Sequence, residues 1–169
     1  MRLQLMGKFY STKTYGNDRG LSCCFRQWRS THSHCSLLHG YSIGVKVIFE
    51  CETLDERNWV MDFGGLKQFK NWLEHMFDHT VIIAKDDPHF DLFDKMADVG
   101  EIKTGANSAI MDIRVVDAVG CEQFAKLAYD TLADILAIDL EQGDLLNPTV
   151  RVKSVEVFEH DANSAIYEG

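Results

Sequence analysis

Residues 25–40, FRQWRSTHSHCSLLHG, run straight into residues 41–50, YSIGVKVIFE, and the junction of the two decides how the chain is read. In the second stretch Ile43, Val45, Val47 and Phe49 alternate with Gly44, Lys46, Ile48 and Glu50. That period of two predicts a strand with one face in a core. The first stretch has no such period. It gathers Arg29, His32, His34 and His39 within six positions of Cys35, which predicts a chemistry-bearing loop at the mouth of the strand. Positive neighbours or a metal lower a thiol's pKa and populate the thiolate, the form that acts as base or nucleophile.

Working outward, the run from Leu3 to Tyr15, the turn Gly16-Asn17-Asp18 and the return from Leu21 to Trp28 predict a hairpin. Residues 65–77 change period: Leu66, Phe69, Trp72, Leu73 and Met76 share one face of a helix. A strand is expected at Val81 to Ala84. Residues 86–103, DDPHFDLFDKMADVGEIK, form an acidic excursion with a short helix started by Asp86-Asp87-Pro88. A strand near Ala109 to Val116 precedes a second long helix over 120–137, with Phe124, Leu127, Ala128, Leu132 and Ile135 on one face. Asn147-Pro148 breaks the chain before a final strand, Val150 to Glu159. This order of elements gives an α+β fold, with both long helices available to cover one face of an antiparallel sheet.

A chain of 169 residues, 46% of them hydrophobic, supports one core, so a single domain over 1–169 is expected, with an acidic excursion around 85–105. No apolar stretch reaches the roughly 20 residues that span a bilayer, and the start is of mixed polarity, so a cytoplasmic protein without a membrane partner is expected. The five cysteines form no C-x-x-C pair, which argues against a disulfide framework or a zinc knuckle. Net charge is −9, yet residues 1–46 hold seven Lys/Arg against one acid, Asp18. An acidic body with one basic region suits a small polyanion better than nucleic acid, whose binders are more often basic overall.

Cys35 four positions before His39-Gly40 resembles the C-x-x-x-H-G-H opening of the 6-pyruvoyl- and 6-carboxytetrahydropterin synthase family. Four further segments resemble that family in order. VMDFGGLKQF (60–69) is similar to its entry into the first long helix, with Asp62 as cap. FDHT (77–80) looks like its L-D-H segment, GCEQFA (120–125) like its P-T-x-E-N-L-A helix start, and VEVFEHDANSAIY (155–167) like its terminal V-x-V-x-E-T. Independently of the resemblance, Val155, Val157 and Glu159 alternate onto one face, placing a carboxylate where an apolar residue is expected. Such a group needs a partner. The adjacent N–H donors of a pterin's amino-pyrimidine edge would supply one.

The resemblance implies a tunnelling fold: a four-stranded antiparallel sheet with two long helices on one face. It implies subunits assembled as a hexamer of two trimers, with active sites between chains. It also implies a lyase acting on 7,8-dihydroneopterin triphosphate. Cys35, Asp78 and His79 would move protons, Glu159 and Glu122 would hold the pterin, and Arg29 or Arg26 would receive the triphosphate. A 6-carboxytetrahydropterin synthase, serving 7-deazaguanine and queuosine-precursor formation, is the leading expectation. A 6-pyruvoyltetrahydropterin synthase, or a non-catalytic pterin- or purine-binding module, are the alternatives. The family binds zinc with three histidines, but two of those positions here are Arg29 and Tyr41, leaving His39 in register. A zinc set of His39 and His34 with either His32 or His160 is one arrangement. Arg29 standing in the cation's place is the other.

Overall fold

The computed structural model describes residues 7–97, 102–103, 106–107 and 111–169. Ten strands and three helices follow one another as β1 (Phe9–Tyr15), β2 (Ser22–Phe25), β3 (His39–Ser42), β4 (Gly44–Cys51), α1 (Lys67–Phe77), β5 (Thr80–Ala84), α2 (Phe90–Ala97), β6 (Ile102–Lys103), β7 (Ala106–Asn107), β8 (Ile113–Val116), α3 (Cys121–Gln142), β9 (Arg151–His160) and β10 (Asn163–Glu168). The main sheet has the order β1-β4-β9-β10, antiparallel throughout. A second sheet of order β3-β2-β5-β8 is mixed: β3 runs antiparallel to β2, while β2, β5 and β8 are mutually parallel.

Alternation is read out directly in β4, where Val45, Val47 and Phe49 are fully buried and Lys46 and Ile48 are half-buried on the other face. Opposite them, Val155 and Val157 of β9 bury on the same side. The helices close that side. Phe69, Leu73 and Phe77 of α1 meet Phe124, Ala128 and Leu132 of α3 in one core, and Phe25 packs edge-on against Phe124. Each fully buried aromatic contributes about 1.5–3 kcal/mol relative to exposure, so this cluster of phenylalanines anchors α1 and α3 to the sheets. Asp62 caps the helical turn leading into α1, its carboxylate accepting the Gly64 N–H at 2.9 Å, as the sequence predicts. The short helix after Asp86-Asp87-Pro88 is present as α2.

Three expectations are corrected. The predicted N-terminal hairpin does not form: β1 pairs with β4, whereas β2 pairs with β3 and β5, so the turn at Gly16 carries the chain from one sheet to the other. Residues 3–6 of that expectation lie outside the described residues. His39-Gly40 does not run on into one strand, because β3 belongs to the second sheet and the chain crosses to the main sheet at Ile43, whose N–H is held by the Leu21 carbonyl at 3.0 Å. The strand over 150–159 is not the last: the chain turns at Asp161-Ala162 and returns as β10, the fourth strand of the main sheet. His160 holds that turn, its Nδ1 accepting the Ala162 N–H at 3.1 Å. The strand expected near 109–116 is present as β8; Ala109 and Ile110 lie outside the described residues.

Candidate functional site

The end of β9 meets the start of α3. Glu159 is the last inward-facing position of β9, and Cys121 is the first residue of α3. The Cys121 thiol donates to Glu159 Oε1 at 3.8 Å, and the pair opens into a polar cavity of about 160 Å³. Gln27, Glu122, Asn163 and Ser164 complete its wall with Ala165. Burial pushes the Cys121 thiol up to about 12, with Glu159 and Glu122 adding to it, so it stays a neutral donor at physiological pH. The free N–H groups and dipole of the long helix α3 favour anions here, which offsets the repulsion between the two carboxylates.

Gly120 makes the cavity possible. Its φ of 118° lies where side-chain-bearing residues are strained, and the Gln27 amide and Glu122 Oε2 stand 3.5 and 3.6 Å from the point a Cβ would occupy. Gln27 is tied to the motif loop, because its backbone N–H donates to the Cys35 carbonyl at 2.7 Å. Cys35 is half-buried in a single helical turn, His34–Ser36, whose N–H is capped by Ser33 Oγ at 3.2 Å. Tyr41 stands between the two: its ring stacks on Phe25 at 4.0 Å, and burial, with Glu159, Cys35, Cys121 and Cys23 around it, pushes its hydroxyl up to about 12. Thiol, phenol and carboxylate therefore share one neighbourhood.

Asp78 and His79 lie elsewhere. Asp78 ends α1, and His79 adopts a left-handed backbone, φ 55°, before β5 begins. The His79 N–H donates to the carbonyl of Ser22, the first residue of β2, whereas His39 pairs with Phe25, the last. At about 3.3 Å per residue the two features stand roughly 10 Å apart along the strand. Nδ1 of His79 donates to the Asp78 carboxylate, which fixes the tautomer with Nε2 free as an acceptor. The imidazole is 87% exposed.

The histidines singled out for a metal are not gathered. His32 and His34 are exposed on the loop, and His39 donates from Nδ1 to the Leu37 carbonyl at 2.7 Å with its ring against Tyr41. Among the described residues no three His, Cys, Asp or Glu side chains converge as a metal site would need. This donor set does not fit a three-ligand zinc centre. Arg29 stacks over Trp28 and pairs with Asp86 at 2.6 Å, with most of its side chain exposed. Arg26 is held by both oxygens of buried Asp87 at 2.8 Å and reaches the Ser36 carbonyl, which fixes the loop.

Sequence reasoning missed Gln27 and Cys121. Gln27 was within its reach: Cys23 and Phe25 bury on one face of β2, and the next residue of that alternation is Gln27, just as Glu159 follows Val155 and Val157. Glu159 lies within β9 and Gln27 two residues past the end of β2, and both line the same cavity. A cavity of about 480 Å³ between β1 and residues 54–63 contains none of these groups. Among the described residues no helix is long and apolar enough to cross a membrane.

A family model described as 6-pyruvoyl tetrahydropterin synthase matches residues 17–169. The 6-carboxy-5,6,7,8-tetrahydropterin synthase of Aquifex aeolicus is 34% identical over 135 residues, which is 79% of this chain and 75% of that protein. Its namesake from Rickettsia conorii is 33% identical over 54 residues, 31% of this chain and 39% of the relative. Among solved structures, an uncharacterized protein from Wolinella succinogenes superposes with a TM-score of 0.67 at 23% identity, covering 98% of this chain and 99% of that one. The 6-pyruvoyl tetrahydropterin synthase of Plasmodium falciparum gives 0.61 at 14% identity, covering 96% and 98%.

Proposed function

The chain belongs to the 6-pyruvoyl tetrahydropterin synthase family and is a pterin lyase of the tunnelling fold; within that family we propose that it is a 6-carboxytetrahydropterin synthase acting on 7,8-dihydroneopterin triphosphate, in 7-deazaguanine formation. The observation that carries this reading is the cavity where Glu159, Cys121 and Glu122 meet beside the Cys35 turn. The similarity to the Aquifex aeolicus protein supports the carboxy reaction over the pyruvoyl one.

In this reading Glu159 accepts the paired N–H donors of the pterin's amino-pyrimidine edge, and Glu122 supports it from the first turn of α3. A cavity of about 160 Å³ is below the roughly 300 Å³ usual for a whole ligand, so it takes the ring's polar edge and leaves the triphosphate side chain outside. Arg29, exposed and held only at the surface by Asp86, receives the triphosphate, with Arg26 holding the loop beneath it. Cys35 and the Asp78–His79 pair take and return protons on the side chain while triphosphate leaves with the C–O electron pair; water then adds at the carbonyl carbon next to the ring, and the bond from that carbon to the next breaks, leaving the carboxylate on the ring and releasing the last two carbons as acetaldehyde. His79 Nε2, free and outward, is suited to that exchange. Because Asp78–His79 and the Cys35 turn lie at opposite ends of β2, the pair that completes one site comes from a second copy, and the working form is a homo-oligomer. A hexamer of two trimers is the arrangement proposed.

Among the described residues the ligands of a zinc ion are not assembled, and the protons are moved by the side chains named above. Metal analysis of untagged protein tests that directly: well under one zinc per chain is expected, and one per chain lost in His39→Ala would place the metal in the reaction. Incubation with 7,8-dihydroneopterin triphosphate and mass spectrometry of the products tests the reaction itself. The carboxy product is expected; a pyruvoyl product would overturn this assignment within the family.

A further inference from the structure

Three side chains of the cavity wall carry a donor other than the thiol, Gln27, Asn163 and Ser164, and of the two amides Asn163 is engaged with His160 Nε2 at 3.3 Å. Gln27 continues the buried alternation of β2, and its backbone is fixed by the Cys35 carbonyl at 2.7 Å. Its amide faces the void over Gly120, with Nε2 the nearer end at 3.5 Å from the site of an absent Cβ. Neither end of the amide is hydrogen-bonded to another described residue, in contrast to its neighbours Arg26 and Trp28. Glu122 and Glu159 flank it, and two carboxylates favour the N–H end of an amide toward themselves and the void. Beside the two carboxylates, which only accept, the Gln27 amide therefore stands as a donor without a partner among the described residues.

We infer that Gln27 sets which heterocycle the cavity admits, by donating from Nε2 to a ring carbonyl oxygen beside the N–H donors that Glu159 accepts. The inference rests on the pterin reading of this cavity and adds a specificity-determining residue to it. A ligand edge reading donor, donor, acceptor fits: an amino group, a lactam N–H and its carbonyl. An edge with a second amino group in place of the carbonyl points N–H at the Gln27 N–H and also loses the lactam N–H that Glu159 accepts, so only the part of the preference that changes with Gln27 reports on this residue. A site built to bond a polar group discriminates against analogues that cannot pair with it, because the buried partner is left unsatisfied.

Calorimetric titration of the full chain with pterin and with 2,4-diaminopteridine, in the wild type, Gln27→Leu and Gln27→Glu, tests this. The wild type should prefer pterin. Gln27→Leu should reduce that preference by about tenfold, the worth of one hydrogen bond. Gln27→Glu should shift it further and toward the diamino ligand, since a carboxylate accepts what the amide repels. The readout is the ratio of two affinities in one protein, so a general loss of stability or a third negative charge does not imitate the result. An unchanged ratio in both variants overturns the inference. Glu159→Gln separates the two levels: if it weakens pterin while the Gln27 variants keep the wild-type ratio, only the role of Gln27 falls, and if it too has no effect, the pterin reading of the cavity falls with it.

Discussion

The polar groups around Glu159 are closed in by elements of a single chain, whereas Asp78 and His79 stand in the open at the end of α1. In the first region the strand ends of β2 and β9 and the start of α3 converge, and thiol, amide and carboxylates face one void. In the second, an oriented imidazole points at solvent with 87% of its side chain exposed. On the function proposed above, the difference separates recognition from chemistry. Holding a heterocycle needs a pre-formed wall, which one chain builds; moving protons on the ligand's exposed side chain needs groups that arrive from outside the cavity.

The strongest way to break this division is Cys35→Ala. Turnover should fall by roughly 10² to 10⁴, the usual contribution of a proton-transfer group, with pterin affinity unchanged because the thiol lies beyond the recognition wall. Comparable kcat in variant and wild type would remove Cys35 from the chemistry.

Next in size is the ion pair beneath the loop. Asp87 is buried, accepts from Nε and Nη2 of Arg26 at 2.8 Å each and accepts the His89 N–H, so Asp87→Ala leaves a half-buried cation unpaired and should cost about 3 kcal/mol in denaturant unfolding. Burial alone would raise the Asp87 carboxyl, but the bonds from Arg26 and His89 outweigh it and hold it below the usual range. A depressed carboxyl contributes stability that is present above its unfolded pKa of about 3.9 and is lost as pH falls through the folded value. Below about pH 4 the wild type should therefore lose stability more steeply than Asp87→Asn. Parallel pH dependences would mean the pair does not stabilise the loop.

The smallest effect sharpens the recognition side. Glu159→Gln keeps the shape but turns one acceptor into a donor aimed at the pterin amine, and affinity should fall at least about tenfold, or 1.4 kcal/mol. Titration with sepiapterin reads this out; equal affinities would make Glu159 an ordinary strand-end residue.

Legibility in the sequence tracked how local each signal was. The alternation of β4, the face of α1 and the Asp62 cap are set by neighbours within a few positions, and each was readable. Strand partners were not: β1 and β2 look like a hairpin because a turn joins them, yet Tyr15 packs against Phe69 of α1 while Phe25 packs against Phe124 of α3, and those distant contacts pull the strands into different sheets. β10 was missed because its exposed face, Ser164, Ile166 and Glu168, carries an apolar residue at its centre, which breaks the period. At the site, Glu159 was legible as a polar residue ending a buried alternation. The same rule applied to β2 would have found Gln27. Cys121 had no such signal, since its meaning comes from the carboxylate that β9 brings to it from 38 positions away.

Subunit complementation tests the division between the two regions most directly. Cys35→Ala and His79→Gly, the second chosen because glycine suits the left-handed backbone at φ 55°, should each be inactive alone. Dissociated, mixed and reassembled, the two variants should recover a substantial part of wild-type turnover, because some sites then receive an intact Cys35 from one copy and an intact His79 from another. A mixture as inactive as its components, with reassembly verified by size, would show that both residues act from the same chain and would contradict the account.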